Sequence, residues 1–188
     1  MADRIRKVMK AVPRRGFLPA DQQAWAGADR ALGIGHGSTC SQPSTVLRLL
    51  ELLDAQPGHR VLDVGSGSGW TTAMLASLVA PDGWVLGVEI EPALVERSRR
   101  ALVAHGVTAA TVEQAVRGVL GWPERAPYDR ILVSAEAHDV PQALLDQLAQ
   151  GGRMVIPVNG RLVTAHLHDG QVSTEQEGWY SFVPLQES

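Results

Sequence analysis

Residues 61 to 69 read Val-Leu-Asp-Val-Gly-Ser-Gly-Ser-Gly, and Glu89 follows twenty positions after Gly69. Val61 to Val64 form a short, mostly apolar run closed by glycines, which predicts a buried strand. From Gly69 the run Trp-Thr-Thr-Ala-Met-Leu-Ala-Ser-Leu-Val predicts a helix. A strand, a glycine turn and a helix in that order let a ligand lie close to the backbone. A second strand from Trp84 to Val88 would end at Glu89, whose carboxylate can accept hydrogen bonds from two ribose hydroxyls. The segment points to a nucleoside-containing cofactor.

The spacing separates cofactor classes. A dinucleotide fingerprint needs glycine at its first, third and sixth positions, the last for close helix–strand packing. Counted from Gly65, the sixth position is Trp70, which forbids that approach and disfavours a nicotinamide-dependent oxidoreductase. Gly65, Gly67 and Gly69 with Asp63 just before them resemble the first motif of S-adenosylmethionine-dependent methyltransferases, whose cofactor has no pyrophosphate.

Composition narrows the setting. A chain of 188 residues with 45% hydrophobic content suits one domain with its own core. A net charge of −3 lacks the basic excess of a nucleic-acid-binding surface. The single Cys40 excludes an intrachain disulfide and fits a reducing compartment. There is no membrane-length apolar run, and Met1 to Lys10 is too polar for a signal peptide. A cytoplasmic monomer is expected, with no membrane or nucleic-acid partner and no metal. The histidines show no ligand spacing, and no third ligand joins His166 and His168.

Three zones follow along the chain. Asp3 to Arg15 is basic and amphipathic, with Ile5, Val8, Met9 and Val12 at helical spacing, and its charges are expected to form a solvated helix face. From Arg60 to Val158, strands are expected at 61–64, 84–88, 110–113, 129–134 and 153–158. Helices are expected at 69–79, 92–105 and 141–149, with Pro92 and Pro141 in first turns. Beyond Arg161, two strand-like runs flank the turn Asp169-Gly170 and predict a terminal hairpin. The expected fold class is α/β. It is a doubly wound, mostly parallel Rossmann-like methyltransferase sheet with a C-terminal antiparallel hairpin and an N-terminal helical extension. The whole chain, 1–188, is expected to be one domain: an N-terminal helical segment and substrate loop (1–57), a cofactor-binding core (58–160) and C-terminal strands (161–188).

Ahead of the core, Ile34-Gly35-His36-Gly37-Ser38-Thr39-Cys40-Ser41-Gln42-Pro43 precedes a predicted helix, Ser44 to Leu53. Local chemistry leaves two roles open for this loop. Ser41 and Thr39 could cap the helix. The loop could equally wall a site in which small polar groups and backbone N–H groups hold a substrate carboxylate.

Several motifs together resemble the protein-L-isoaspartate O-methyltransferases. They are Gly35-His-Gly-Ser-Thr-Cys-Ser-Gln-Pro43, Val61 through Trp70, Ala126-Pro-Tyr-Asp-Arg-Ile-Leu-Val133 and Val140-Pro-Gln-Ala-Leu-Leu-Asp-Gln-Leu148. Gly151-Gly-Arg-Met-Val-Ile-Pro157 and Phe182-Val-Pro-Leu185 complete the set, in family order from about Val12 onward. The resemblance implies methyl transfer from S-adenosyl-L-methionine to the side-chain carboxylate of an isoaspartyl residue in a peptide or protein. The ester would then cyclise to a succinimide, whose hydrolysis returns some normal aspartate, a repair reaction. The resemblance further implies that Ser41 holds the reacting carboxylate as the catalytic residue. Asp63, Gly65, Ser66, Gly67 and Gly69 would shape the methionine end of the cofactor site, Glu89 would hold the ribose and Ile90 would pack on adenine. Gly35, His36, Thr39, Ala135, Glu136, Pro184 and Leu185 would face the substrate.

Two positions depart from the family pattern. Val116-Arg117-Gly118 stands where the family has Gly-Asp-Gly before a Gly-Trp-Pro, here Gly121-Trp122-Pro123. Arg117 cannot accept from an adenine amino group, so Glu113 or Gln114 substitutes or cofactor affinity falls. Glu136 replaces a small apolar residue; beside the substrate it would repel an acid unless paired or turned away, or would favour a cationic substrate. Two alternatives therefore stand beside repair: carboxyl methylation of a biosynthetic peptide or small acid, and a cofactor-binding protein without turnover.

Overall fold

The computed structural model describes residues 2–186. Positions 1, 187 and 188 of the expected domain span lie outside the described residues. The chain opens with α1 (Ala2–Ala11) and two 3-10 turns, Arg14–Phe17 and Ala20–Trp25, then a small hairpin of β1 (Leu32–Gly35) and β2 (Ser38–Cys40). Next come α2 (Pro43–Leu53), β3 (Arg60–Val64), α3 (Trp70–Val79), β4 (Trp84–Glu89), α4 (Pro92–Ala104) and β5 (Ala110–Gln114). A 3-10 turn, Pro123–Arg125, leads to β6 (Tyr128–Val133), α5 (Gln142–Leu145), β7 (Leu148–Val158), β8 (Arg161–His168) and β9 (Gln171–Glu177).

The main sheet has the order β5-β4-β3-β6-β7-β8-β9. Pairings from β5 to β7 are parallel, and β8 and β9 are added antiparallel. Alternation along β3 and β4 sorts the core. Val61 and Val85 pack with α1 to α4 on one face, while Leu62, Val64, Leu86 and Val88 pack on the other with Tyr128 and Leu144. Leu62 is fully buried, so Leu62→Ala would cost about 2–5 kcal/mol. The two faces are covered unequally. Four helices fill the first, whereas the second carries only the short α5, the 3-10 turn and loop side chains such as Leu120 and Trp122.

The structure revises several expectations. The helix expected at 141–149 stops at Leu145, with Pro141 at its N-cap. Gln147 turns inward, 3% exposed, donating to the carbonyls of Leu120 and Ala143 and accepting from the Trp122 amide, and Leu148 already pairs with Tyr128 as the first residue of β7. The expected loop Ile34 to Pro43 instead takes part in the β1–β2 hairpin, which starts at Leu32, with Leu32 and Ile34 turned inward. The basic N-terminus is not simply a solvated face. Arg4 donates to the carbonyl of Ala55 and also reaches that of Leu78, and Arg14 is 4% exposed.

Candidate active site

In the strand order, β4 and β6 flank β3, so the chain leaves β3 and β6 toward opposite directions of the sheet. A crevice at such a switch point, outside the carboxyl ends of the strands, is where open α/β sheets bind ligands. A cavity of about 300 Å³ lies there. It is lined by the β3–α3 turn, the end of β4, the segment after β5, the loop His36–Ser41, Ser134 and Ala135, and the tail from Val183.

The turn after β3 is built from glycines that cannot be replaced freely. Gly67 has φ +53°, and a Cβ there would lie 3.3 Å from Ile34 Cδ1 of β1. Gly69, at φ +84°, begins α3, and a Cβ on it would press on Ser98 of α4 at 3.0 Å. Gly69 thus acts through helix packing and does not line the cavity, whereas Gly65, Ser66 and Gly67 do. Four amides of this turn are already engaged: Gly65 and Ser66 donate to the Val88 carbonyl, Gly67 to Glu89 and Gly69 to the Ser66 carbonyl. Such a turn leaves few free N–H groups for a pyrophosphate.

Glu89 ends β4 and is 6% exposed. One carboxylate oxygen accepts the Gly67 amide at 2.9 Å and the other the Glu91 amide at 3.0 Å. Each oxygen keeps lone-pair capacity beyond that bond, and Glu89 lines the cavity, so a vicinal diol can donate to it. Ile90 lies beside it, opposite Ala115, Val116 and Val119. Val116 and Val119 are exposed apolar side chains on the cavity wall. Ser66 Oγ is buried without a hydrogen-bond partner among the described residues.

Asp63 lies beneath this floor and not in it. It is fully buried, accepts the Thr72 hydroxyl of α3 at 2.7 Å and keeps its other oxygen unpartnered. Burial pushes its carboxyl up to about 7, the Thr72 hydrogen bond opposes that shift and the Glu89 carboxylate adds to it. Asp63 is absent from the cavity lining, and its side-chain bond to Thr72 ties β3 to α3.

On the other side of the cavity, Ser41 does not cap α2. The acceptor at the start of α2 is Asp29, which takes the Ser44 amide at 2.8 Å. Ser41 makes no hydrogen bond among the described residues. It lines both the cofactor cavity and an adjoining groove, as do Thr39, Ser134 and Val183. His36 also lines the cavity, and its Nδ1 lies 3.5 Å from Glu91, the N-cap residue of α4. Gly35 does not reach the cavity; its φ of +93° bends the chain out of β1. Two arginines unnoticed in the sequence fix this loop. Arg14 donates to the carbonyls of Ala28, Arg30 and Cys40 at 3.1, 2.9 and 2.7 Å, and Arg97 donates to those of Ile34 and Phe17.

The tail supplies the remaining wall. Pro184 and Leu185 line the cavity, and the Val183 carbonyl and Leu185 amide bond to the backbone of Glu136. The Glu136 side chain does not face the substrate as expected. It accepts the Gly160 amide at 2.7 Å, on the turn between β7 and β8. Glu113, offered as an adenine acceptor, is paired with Arg99 at 2.6 Å, and neither Glu113 nor Gln114 lines the cavity. Arg117 is exposed and also stands outside it.

A diol acceptor beside apolar walls, above a turn whose amides are mostly bonded to the protein, suits one nucleoside without a pyrophosphate. The residues fit S-adenosylmethionine, and fold and site together define a class I S-adenosylmethionine-dependent methyltransferase. The family model "Protein-L-isoaspartate(D-aspartate) O-methyltransferase" matches residues 1–188. A protein-L-isoaspartate O-methyltransferase of Methanopyrus kandleri is 43% identical over 189 residues, covering 98% of this chain and 84% of that protein. One from Anaeromyxobacter dehalogenans is 48% identical over 155 residues, covering 82% of this chain and 73% of that protein. A solved protein-L-isoaspartate O-methyltransferase superposes with a TM-score of 0.89 at 27% identity, covering 98% of this chain and 61% of that one. A Plasmodium falciparum structure assigned to the same activity, in complex with S-adenosyl-L-homocysteine, gives 0.88 at 25% identity, covering 99% and 91%. The chain belongs to the protein-L-isoaspartate O-methyltransferase family.

Proposed function

We propose that this protein methylates the side-chain carboxylate of isoaspartyl residues in peptides and proteins, acting as a single-domain monomer in the cytoplasm. The observation that carries this is the position of Ser41, unneeded as a helix cap and placed where cofactor cavity and groove meet. The buried free thiol of Cys40 is compatible with a reducing compartment. When bound, S-adenosylmethionine supplies a methyl group on a sulfonium, and a carboxylate oxygen takes that carbon as the carbon–sulfur bond breaks.

This chain's residues then have to bind, align and keep water out. Glu89 would hold the ribose, Ile90 and Val116 the adenine, and the Gly65–Gly67 turn the methionine end. The Ser41 hydroxyl would donate to one oxygen of the substrate carboxylate, leaving the other free to attack; Thr39 and Ser134 stand beside it. No general base is required, because the carboxylate is ionised at neutral pH. Alignment at about 3–3.5 Å and water exclusion are what the walls contribute. The bond from Glu136 to Gly160 removes the feature that pointed to a cationic substrate.

The test is methyl transfer to an isoaspartyl peptide and its normal aspartyl twin, read by mass. A one-methyl gain on the isoaspartyl form alone is expected. Gain on neither peptide, with S-adenosylhomocysteine still bound, would move the reading to another carboxylate substrate.

A further inference from the structure

The groove that meets the cofactor cavity at Ser41 has a volume of about 430 Å³ and runs between the substrate loop and the tail, with Gln42, Trp179 and Tyr180 along it. A peptide whose carboxylate is held at Ser41 can lead part of its chain along this groove. Trp179 on its wall is 78% exposed, an unusual state for the largest apolar side chain. Its ring packs against Gly160, where a Cβ would lie 3.4 Å away. On this indole lies the Arg161 guanidinium, 4.8 Å from the ring centroid.

The Arg161 guanidinium donates no hydrogen bond and forms no ion pair among the described residues, and its Nε is buried without a partner. Two neighbouring carboxylates are committed elsewhere, Glu136 to the Gly160 amide and Glu177 to Arg48. A guanidinium stacked on an indole is held in orientation while its edge N–H groups remain available to a carboxylate fork. A guanidinium with no partner among the described residues, stacked on a tryptophan that lines the groove, offers its charge to an anion of the peptide.

We infer that Arg161 and Trp179 form a subsite for a flanking acidic residue, the Asp or Glu side chain standing one or two positions from the residue that reacts. The inference rests on the function proposed above. Trp179 supplies the face that keeps the guanidinium in place, and Arg161 supplies the charge. The enzyme would thus select isoaspartyl sites in acidic stretches.

The test is a series of isoaspartyl peptides carrying Glu, Gln or Lys in turn at each of the two positions before and after the reacting residue. At one of these positions KM for the Glu peptide is expected about three- to tenfold below that for Gln, with Lys weaker still. The preference should shrink at high salt. Arg161→Gln should abolish it, Arg161→Lys should retain part, and Trp179→Ala should abolish it independently. S-adenosylhomocysteine binding reports that each variant is folded. Equal KM values at every position, or a preference that survives in Arg161→Gln and Trp179→Ala, would overturn the subsite while leaving isoaspartyl methylation in place. Methylation of none of the peptides would overturn the proposed function, and the subsite with it.

Discussion

Glu136 accepts the amide hydrogen of Gly160 at 2.7 Å, and the same glycine's carbonyl accepts the amide of Tyr180 at 2.8 Å. With the Leu185 amide bonded to the Glu136 carbonyl, one acidic residue fastens both ends of the tail that walls the site. Glu136→Ala removes a charge-assisted hydrogen bond of about 1.5–3 kcal/mol, and the loss should appear locally. Peptide KM is expected to rise while S-adenosylhomocysteine affinity holds, with faster hydrogen exchange at Tyr180 and Leu185. Unchanged exchange at those two amides would contradict this role.

Ser41 and Asp29 should separate cleanly. Ser41→Ala is expected to lower kcat/KM about ten- to hundredfold, the value of one hydrogen bond to a charged group, with the melting temperature unmoved. Asp29→Ala removes the acceptor for the Ser44 amide at the start of α2 and should lower the melting temperature while leaving turnover in place. Thermal melts and steady-state rates on both variants decide. A Ser41→Ala protein that melts early and turns over normally would return that serine to a capping role.

Glu89→Ala should weaken cofactor binding first. It deletes the acceptor for the ribose and also strands the amides of Gly67 and Glu91. Calorimetric titration with S-adenosylhomocysteine is expected to show at least about a tenfold loss, since hydrogen bonds to charged groups are each worth about 1.5–3 kcal/mol. Parental affinity in this variant would disprove the ribose assignment.

Asp63 gives a pH dependence opposite to that of a paired carboxylate. Burial raises its folded pKa to about 7 from an ordinary 3.8, so between those values the native state holds a proton the unfolded chain has released. Its contribution to stability is therefore present below the unfolded pKa and lost as pH rises through that window. Asp63→Asn, which stays neutral, should gain in melting temperature relative to the parent as pH increases from 4 to 7. Parallel melting profiles would show that Asp63 is already ionised throughout.

Arg14→Gln should destabilise the fold and loosen the site loop together. Arg14 donates to three carbonyls of the segment that carries Ser41, and it is 4% exposed. A loss of about 2–4 kcal/mol is expected, and a correspondingly lower melting temperature. A melt within a degree or so of the parent would mean that water replaces the arginine there.

The parallel core was legible because its signals are local. Val61–Gly69 carries strand, turn and helix in one run, and the spacing to Glu89 is set by a single crossover. What escaped depends on distant partners. The inward turn of Gln147 needs Leu120 and Trp122, neither of which is close in sequence, and it ends a helix whose own residues would continue. The β1–β2 hairpin hides behind Gly33, Gly35 and Gly37, which dilute a period-two pattern to Leu32 and Ile34 alone. Asp29 reaches α2 across 15 residues and Glu136 reaches Gly160 across 24, so neither pairing leaves a motif. Arg14 read as one more surface cation because nothing in its own neighbourhood announces the carbonyls it would meet.

The wall shared by cavity and groove ties two equilibria together. Thr39, Ser41, Ser134 and Val183 face both spaces, so a ligand that shifts any of them on one side alters the free energy of occupancy on the other. Linkage requires that alteration to be symmetric: the factor by which a bound peptide tightens the cofactor is the factor by which the cofactor tightens the peptide. Once the methyl group has crossed that wall, the same coupling governs the spent cofactor and the new ester, and a tight grip on one delays the departure of the other.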